Sequence, residues 1–312
     1  MEDEKREDSV IIETVGASRS SSNGCEKWSP EERWAWEKIR SGEKADFNAM
    51  LGEADPKEAK HWDAKRTLTV SFLRQILFEK PYRDEIPFEG VRIIGAYLPE
   101  KMVLAHGRLD RQLWLDLCRF EQGVDLTGLR ADDTLSLEGS FIAEQSSAAV
   151  SVNLLGAKIY ALNLAGVTVA GKLGMNGLQV ERALSMCSST MERPASFREV
   201  DLTGAEIGDQ LNLQGAIVEG ILGMNGLRVA KNLDMCSTAE RSASFQEVNL
   251  TEAKVGGLLN LAGSTVDGKL TMNSLQVGEH LLMGSTAGRP ASFNEVDLTA
   301  AKINGQLRLE SA

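Results

Sequence analysis

Three nearly identical segments decide the fold of this chain: MNGL at 175–178 with SFREVDL at 196–202, MNGL at 224–227 with SFQEVNL at 244–250, and MNSL at 272–275 with SFNEVDL at 292–298. The second copy follows the first after 49 residues, and the third follows the second after 48. A fixed period of this length is typical of solenoids, in which each unit buries its apolar face against its neighbours. The sequence therefore predicts an elongated array of stacked repeats.

A shorter period lies inside these units. Apolar pairs separated by one position recur every 11 residues, as at Leu211-Asn-Leu213 and Leu222-Gly-Met224. Pairs of a second kind lie between them, such as Ala205-Glu-Ile207 and Ala216-Ile-Val218. A gap of two residues puts both side chains on one face of a short strand, and the residues between pairs turn a corner. Eleven residues thus form a half-coil with two sides, and about 22 residues form a four-sided coil.

The length of the array follows from the number of these pairs. Each 48-residue unit contains three steps of 11 residues and one of 15. The pairs from Met102 to Leu307 number 18, which predicts nine coils and, at roughly 4.8 Å per coil, a rod about 43 Å long. A leucine-rich repeat is the main competing fold, but an 11-residue half-period leaves no room for its convex segment.

Composition and residue pattern divide the chain into three regions. Residues 1–27 are strongly charged and Ser-rich and are predicted to be a disordered tail. Residues 28–90 contain four of the five Trp residues and are predicted to be a small α-helical cap on the open end of the solenoid. Residues 91–312 are predicted to form the parallel β-helix, with three duplicated units from about residue 175.

Two helices are expected in the cap. Ser29, Pro30 and Glu32 form a capping box that should begin a helix ending near Arg40. Apolar residues at helical spacing predict a second helix over about 65–79.

The alternation of A-x-[IV] and L-x-[LM] resembles pentapeptide-repeat proteins, with one extra residue on every second side. That resemblance implies a right-handed quadrilateral parallel β-helix. The Trp-rich helices, RTLTVSFLRQILF at 66–78 and GVRIIGA at 90–96 also resemble uncharacterised bacterial proteins that are labelled pentapeptide-like or membrane-associated oxidoreductase. The resemblance covers about residues 28–312 and implies no functional residues. The chain has neither a GxGxxG motif after a strand nor a run of apolar residues long enough to cross a membrane.

Composition narrows the function classes. The net charge of −11 argues against direct binding of nucleic acid, since such binding needs clustered Lys and Arg. The four Cys residues contain no CxxC pair and the three His residues lie far apart, so no metal site and no cofactor are predicted. The charged N-terminus lacks the apolar core of a secretory signal peptide, which predicts a cytoplasmic protein.

The 15-residue steps are the candidate binding site. They share the pattern S-T-x-x-R-x-A-S-F-x-E-V and should project from one edge of the solenoid, two coils apart. Their repeated charged residues would form two rows along this edge: Arg193, Arg241 and Arg289 in one, and Glu199, Glu247 and Glu295 in the other. In the alternative interpretation, each Arg pairs with the Glu of its own insertion and Phe197, Phe245 and Phe293 fill the wider coils. No catalytic residues are predicted.

These observations favour a non-enzymatic protein-binding or scaffold repeat protein. One alternative is an effector secreted into a host cell through a needle-type secretion system, with the N-terminal tail as export signal. Another is an acidic rod that imitates DNA and inhibits a DNA-handling enzyme. The chain stops directly after a strand pair, which leads us to expect end-to-end pairing of two copies or a shortened member of a longer family.

Overall fold

The computed structural model describes residues 27–58, 62, 64–144, 150–189, 193–286 and 288–309. The predicted tail, apart from Lys27, therefore lies outside the described residues. Residues 145–149 and residues 190–192 of the first insertion also lie outside the described residues.

Helices precede the solenoid. The described helices are α1 (Pro30–Arg40), α2 (Phe47–Leu51), the 3-10 helix Ala64–Arg66, α3 (Val70–Phe78) and α4 (Tyr82–Glu85). The capping box of α1 is confirmed, since the Ser29 hydroxyl accepts a bond from the Glu32 N–H at 3.1 Å and the Glu32 carboxylate accepts one from the Ser29 N–H at 2.9 Å. Sequence reasoning did not predict α2 and α4.

The second predicted helix begins at Val70, later than the expected position near Lys65. The reason is a long-range contact, because the Glu32 carboxylate accepts bonds from both the N–H and the hydroxyl of Thr69, at 2.9 and 2.6 Å. The Thr69 oxygen in turn accepts a bond from the Phe72 N–H at 3.1 Å and caps the helix. Glu32 thus fixes the first turns of α1 and of α3 together.

The remainder of the described chain is built from short strands. They are β1 (Ala45–Asp46), β2 (Val91–Ile94), β3 (Tyr97–Leu98), β4 (Met102–Val103), β5 (Arg108–Leu109), β6 (Leu113–Asp116), β7 (Arg119–Phe120), β8 (Val124–Asp125), β9 (Arg130–Ser136), β10 (Phe141–Ile142), β11 (Val150–Asn153), β12 (Lys158–Asn163), β13 (Thr168–Gly174), β14 (Gln179–Val180), β15 (Leu184–Ser185), β16 (Ser196–Asp201), β17 (Glu206–Ile207), β18 (Leu211–Asn212), β19 (Ile217–Gly223), β20 (Arg228–Val229), β21 (Leu233–Asp234), β22 (Ser244–Asn249), β23 (Lys254–Val255), β24 (Leu259–Asn260), β25 (Thr265–Thr271), β26 (Gln276–Val277), β27 (Leu281–Leu282), β28 (Ser292–Asp297), β29 (Lys302–Ile303) and β30 (Leu307–Arg308).

These strands form a parallel β-solenoid, which confirms the predicted fold class. In the repeated part, a long strand such as β19 bends at a shift in register and covers two sides of a coil, and two short strands such as β20 and β21 cover the other two. Each strand pairs in parallel with its equivalents in the coils before and after, so equivalent residues form columns along the rod. Nine strands from β3 to β28 stack in one sheet, and the solenoid has about eight turns, one fewer than the nine coils predicted.

The core is a narrow apolar column along the axis. The eight residues predicted to point inward are all at most 2% exposed: Ala205, Ile207, Leu211, Leu213, Ala216, Val218, Leu222 and Met224. Leu73 and Ile76 of α3 belong to the same buried cluster, so the helical region covers the first coil as predicted. Trp28 and Trp36 are each 5% exposed and pack edge to face with ring centroids 6.0 Å apart.

The last coil presents apolar side chains to solvent. Val296, Leu307 and Leu309 are 39%, 42% and 53% exposed, although equivalent residues of earlier coils are buried. Pairing of two copies through this surface stays a prediction.

Candidate ligand groove

The described parts of the three insertions lie on one edge of the solenoid, as the sequence predicted, and we call them the looped edge (residues 187–189, 193–195, 236–243, 284–286 and 288–291). Their shared Ser residues serve the fold. The Ser237 hydroxyl accepts a bond from the Ala243 N–H at 2.9 Å and donates to the Gly263 carbonyl of the next coil. Ser188 closes the first insertion in the same way, with bonds to Ala195 and Gly215. The shared S and A of the repeated pattern are thus explained by loop closure.

The arginines of the looped edge reach toward the preceding coils. Arg289 donates to the Thr238 and Ala239 carbonyls at 2.9 and 3.2 Å and to the Ser242 hydroxyl at 2.5 Å, all in the insertion before its own. Arg193 lines a cavity of about 320 Å³ beneath residues 53–57 of the helical region. The Arg241 Nε is buried and has no partner among the described residues. At least Arg289 is therefore committed to tying two insertions together.

The glutamates lie apart from these arginines. Glu199, Glu247 and Glu295 belong to the long strands β16, β22 and β28. Glu199 pairs with Lys172 at 2.7 Å and Glu295 with Lys269 at 2.9 Å. The expectation that each Arg pairs with the Glu of its own insertion is wrong for these two glutamates, because the strand register places a Lys beside each of them. The third, Glu247, lies beside Ile221.

The phenylalanines behave as the alternative interpretation predicts. Phe197 and Phe245 are fully buried and pair in register with valines of neighbouring coils, and Phe293 of the last insertion is partly buried. They fill the coils that the insertions widen.

A second concave surface lies on another side of the solenoid and was not predicted. It is a groove of about 660 Å³ that follows the rod across six coils, from β14 to β29. Each coil contributes a short strand and the residue after it, as in Arg228, Val229 and Ala230. The valine and isoleucine side chains at these strands point into the core, so the outward residues form the wall and the residues after the strands form the floor.

Glycine occupies three of the six floor positions, at Gly208, Gly256 and Gly278. A Cβ at Gly208 would overlap the carbonyl oxygen of Glu181, and one at Gly256 would overlap that of Ala230. Close approach of successive coils thus requires glycine here, and it leaves main chain exposed along the floor. Ala230 carries a methyl group at the equivalent position and is itself exposed.

The wall of the groove belongs to a column of outward residues that we call the basic column. Its members are register partners in consecutive coils: Arg108, Arg130, Lys158, Gln179, Glu206, Arg228, Lys254, Gln276 and Lys302. Six of these nine are cations, in a chain whose net charge is −11. Arg108 is paired with Asp110 and Asp132, and Arg228 with Glu206 at 3.0 Å. Within the described chain, no carboxylate lies within ion-pair distance of Arg130, Lys158, Lys254 or Lys302.

Sequence reasoning missed this column although its signal was present. Every member after Arg108 is the middle residue of an apolar pair of the second kind, as in Ala253-Lys-Val255. The pairs define the inward phase of each coil, and the residue between them is the outward one that the column brings together.

One carboxyl group near the first coils is perturbed. Burial raises the pKa of Asp116 to about 6, although its Oδ1 accepts bonds from the Ser136 hydroxyl at 2.6 Å and the Glu138 N–H at 2.9 Å. The described residues bring together no group of three His, Cys, Asp or Glu side chains that could hold a metal ion. None of their helices is long and apolar enough to span a membrane.

Comparisons with protein-family models, with curated proteins and with solved structures found no match for this chain. The class of protein that the structure defines is therefore a parallel β-solenoid with a helical N-terminal region. Membership of the pentapeptide-repeat proteins stays a prediction from the sequence pattern.

Proposed function

We propose that this chain is a non-enzymatic binding scaffold and that the groove is its recognition surface. The observation that carries the proposal is the groove itself, which runs unbroken along six coils and is walled by the aligned residues of the basic column. A partner lying in it would contact the same kind of position repeatedly. Solenoids commonly use extended surfaces of this kind to bind other proteins.

The chemistry of the lining favours binding over catalysis. Glu181 and Glu206 are the carboxylates among the lining residues, and Glu206 is paired with Arg228. The lining holds no His, Cys or Ser that such a carboxylate could activate. Charged and amide side chains line the wall, and both can bind a protein partner.

The DNA-mimic alternative needs a contiguous acidic stripe. On the column of Glu199, Glu247 and Glu295, the glutamates alternate with Lys172, Ile221 and Lys269, which interrupts the negative charge. The effector alternative depends on the N-terminal tail, which lies outside the described residues. The groove therefore supports the scaffold as the function to test first.

The test is to block the groove at its middle. Ala230 is exposed and already accommodates a Cβ, so Ala230→Trp should fill the groove without disturbing the core. Glu219→Trp adds the same side chain at an exposed position of β19, outside the groove lining, and is the matched control. Both variants should retain the circular dichroism spectrum and thermal midpoint of the wild type within a few degrees.

Partners are then captured from the native cells with each variant and quantified by mass spectrometry. We expect a stoichiometric partner that binds the wild type and Glu219→Trp but is lost with Ala230→Trp. An Arg193→Ala, Arg241→Ala, Arg289→Ala triple variant reports on the looped edge. Capture that Ala230→Trp leaves unchanged would overturn the groove as the recognition surface. Capture that is lost only with the arginine triple variant would overturn it as well.

A further inference from the structure

We infer that the groove binds an extended, acidic segment of polypeptide. This inference rests on the proposed function and specifies its partner. It is carried by the unpaired cations of the basic column, by their spacing and by the form of the floor.

The unpaired cations are costly to the free protein. Arg228 and Lys254 are direct register partners, and like charges directly opposite each other destabilise paired strands. Arg228 has Glu206 as its one close carboxylate among the described residues, and Lys254 has none. The protein is acidic overall, but its own described carboxylates leave this repulsion in place. Carboxylates from a ligand would neutralise it.

The spacing of the cations selects an extended ligand. Lys254 and Lys302 lie two coils apart, a separation of about 9.6 Å at roughly 4.8 Å per coil. A polyproline II segment has three residues per turn and rises about 9.3 Å per turn, so every third side chain points the same way at nearly this distance. An extended strand rises about 9.9 Å over three residues. Two acidic residues three positions apart would therefore meet Lys254 and Lys302, whereas Glu206 occupies the position two coils before Lys254.

The floor suits a polypeptide backbone. Gly208, Gly256 and Gly278 leave main chain exposed, so an unbranched chain can approach closely. The amide side chains of Gln179, Gln276 and Asn304 stand beside this floor and can both donate to and accept from a peptide group.

The same lining disfavours nucleic acid. No Phe, Tyr or Trp lines the groove, whereas single strands are held largely by stacking of bases on aromatic rings. The net charge of −11 adds a long-range repulsion of any densely charged polyanion.

The experiment measures fluorescence anisotropy of a labelled peptide with four Glu-Pro-Pro repeats, titrated with the full-length protein. Peptides with Gln-Pro-Pro and Lys-Pro-Pro repeats are the matched probes. We expect the Glu peptide to bind at least about tenfold more tightly than the Gln peptide, and its affinity to fall with added salt. The Lys peptide should bind more weakly than either.

Two charge-reversal variants locate the binding. Arg228→Glu with Lys254→Glu should weaken the Glu peptide by at least about tenfold, because rim charges govern such encounters. Arg33→Glu with Lys101→Glu makes the same change in net charge at exposed residues outside the groove and should leave the affinity within about twofold of the wild type. Ala230→Trp should weaken binding without any change of charge.

Equal affinity for the Glu and Gln peptides would overturn the inference. An affinity that the Arg228→Glu, Lys254→Glu variant leaves unchanged would also overturn it. Tighter binding of oligothymidylate or polygalacturonate, added as competitors, would reassign the ligand to another class of polymer. If Ala230→Trp still abolishes capture of a cellular partner while no acidic peptide binds, the scaffold stands and this inference alone fails.

Discussion

Two columns of charged residues run along the same solenoid and differ in how far their charges are neutralised within the protein. The paired column, on the long strands, contains Lys172, Glu199, Ile221, Glu247, Lys269 and Glu295. Its lysines each have a glutamate partner in the next coil, at 2.7 and 2.9 Å. The basic column places Lys254 beside Arg228 and leaves Lys302 without a close carboxylate in the described chain. A charge that is neutralised within the protein serves the stacking of coils, and one that is not is available to a ligand.

The duplicated units are identical at some charged positions and differ at others. Glu199, Glu247 and Glu295 are identical in the three copies, as are the serines and alanines that close the insertions. The basic column varies between copies: Gln179 becomes Arg228 and then Gln276, and Glu206 becomes Lys254 and then Lys302. Identity between the copies therefore marks positions that every coil needs for stacking. The partners of these glutamates do vary, since Lys172 becomes Ile221 and then Lys269, so variation between the copies is not confined to the groove.

The largest effect should come from the core that holds both columns in place. Leu213 is fully buried, and Leu213→Asp would place a carboxylate in a narrow apolar interior. We expect a loss of more than about 5 kcal/mol in the free energy of unfolding and collapse of the array. Circular dichroism and urea unfolding would measure it.

The control is Leu213→Met, which conserves volume and should cost less than about 1.5 kcal/mol. A folded Leu213→Asp protein would mean that this residue does not face the core. Both columns would then be wrongly placed, since their outward position follows from the same inward phase.

Asp116 extends the comparison to carboxylates. Glu199 and Glu295 of the paired column each have a lysine beside them, whereas burial raises the pKa of Asp116 to about 6. Because the folded pKa lies above the ordinary value of 3.8, the protonated form stabilises the fold. That contribution is fully present below about pH 4 and is lost as the pH rises through about 6.

Asp116→Asn should remove this dependence. The difference in unfolding free energy between wild type and variant should shift in favour of the variant by about 2 kcal/mol between pH 4 and 6. Urea unfolding at a series of pH values measures the difference, and a Glu138→Gln variant controls for loss of a neighbouring charge. Parallel curves for wild type and Asp116→Asn would show that the carboxyl titrates normally.

The sequence was informative wherever the physical cause is local or periodic. The gaps between apolar residues placed Leu213 and Met224 in the core, and the Ser29 capping box began α1. It was uninformative where the cause is a contact between distant residues. The start of α3 depends on Glu32, and the role of Arg289 depends on carbonyl groups some fifty residues earlier. The groove could be found only from the strand register, because the register makes residues 21 to 28 positions apart in sequence neighbours in one column.

The smallest effect discriminates most directly between the two columns. Lys172→Ala leaves Glu199 and Asp201 without the ammonium that lies 2.7 and 3.6 Å from them. The hydrogen bond to Glu199 is also the main cause that raises the pKa of Lys172. Partly exposed pairs of this kind are worth up to about 1 kcal/mol, so the variant should unfold at slightly lower urea concentration. Lys254→Ala removes repulsion from Arg228 and should be neutral or stabilising by a few tenths of a kcal/mol.

The sign of the difference matters more than its size. Both effects are electrostatic at exposed sites, so both should shrink toward zero when the measurement is repeated at about 0.5 M salt. If Lys254→Ala destabilised the protein as much as Lys172→Ala, Lys254 would have a partner within the chain. The basic column would then serve stability as the paired column does, and the argument for an acidic ligand would lose its main support. A neutral or stabilising Lys254→Ala that also weakens the Glu peptide would separate the two columns by function, since the same residue would be dispensable for the fold and needed for the ligand.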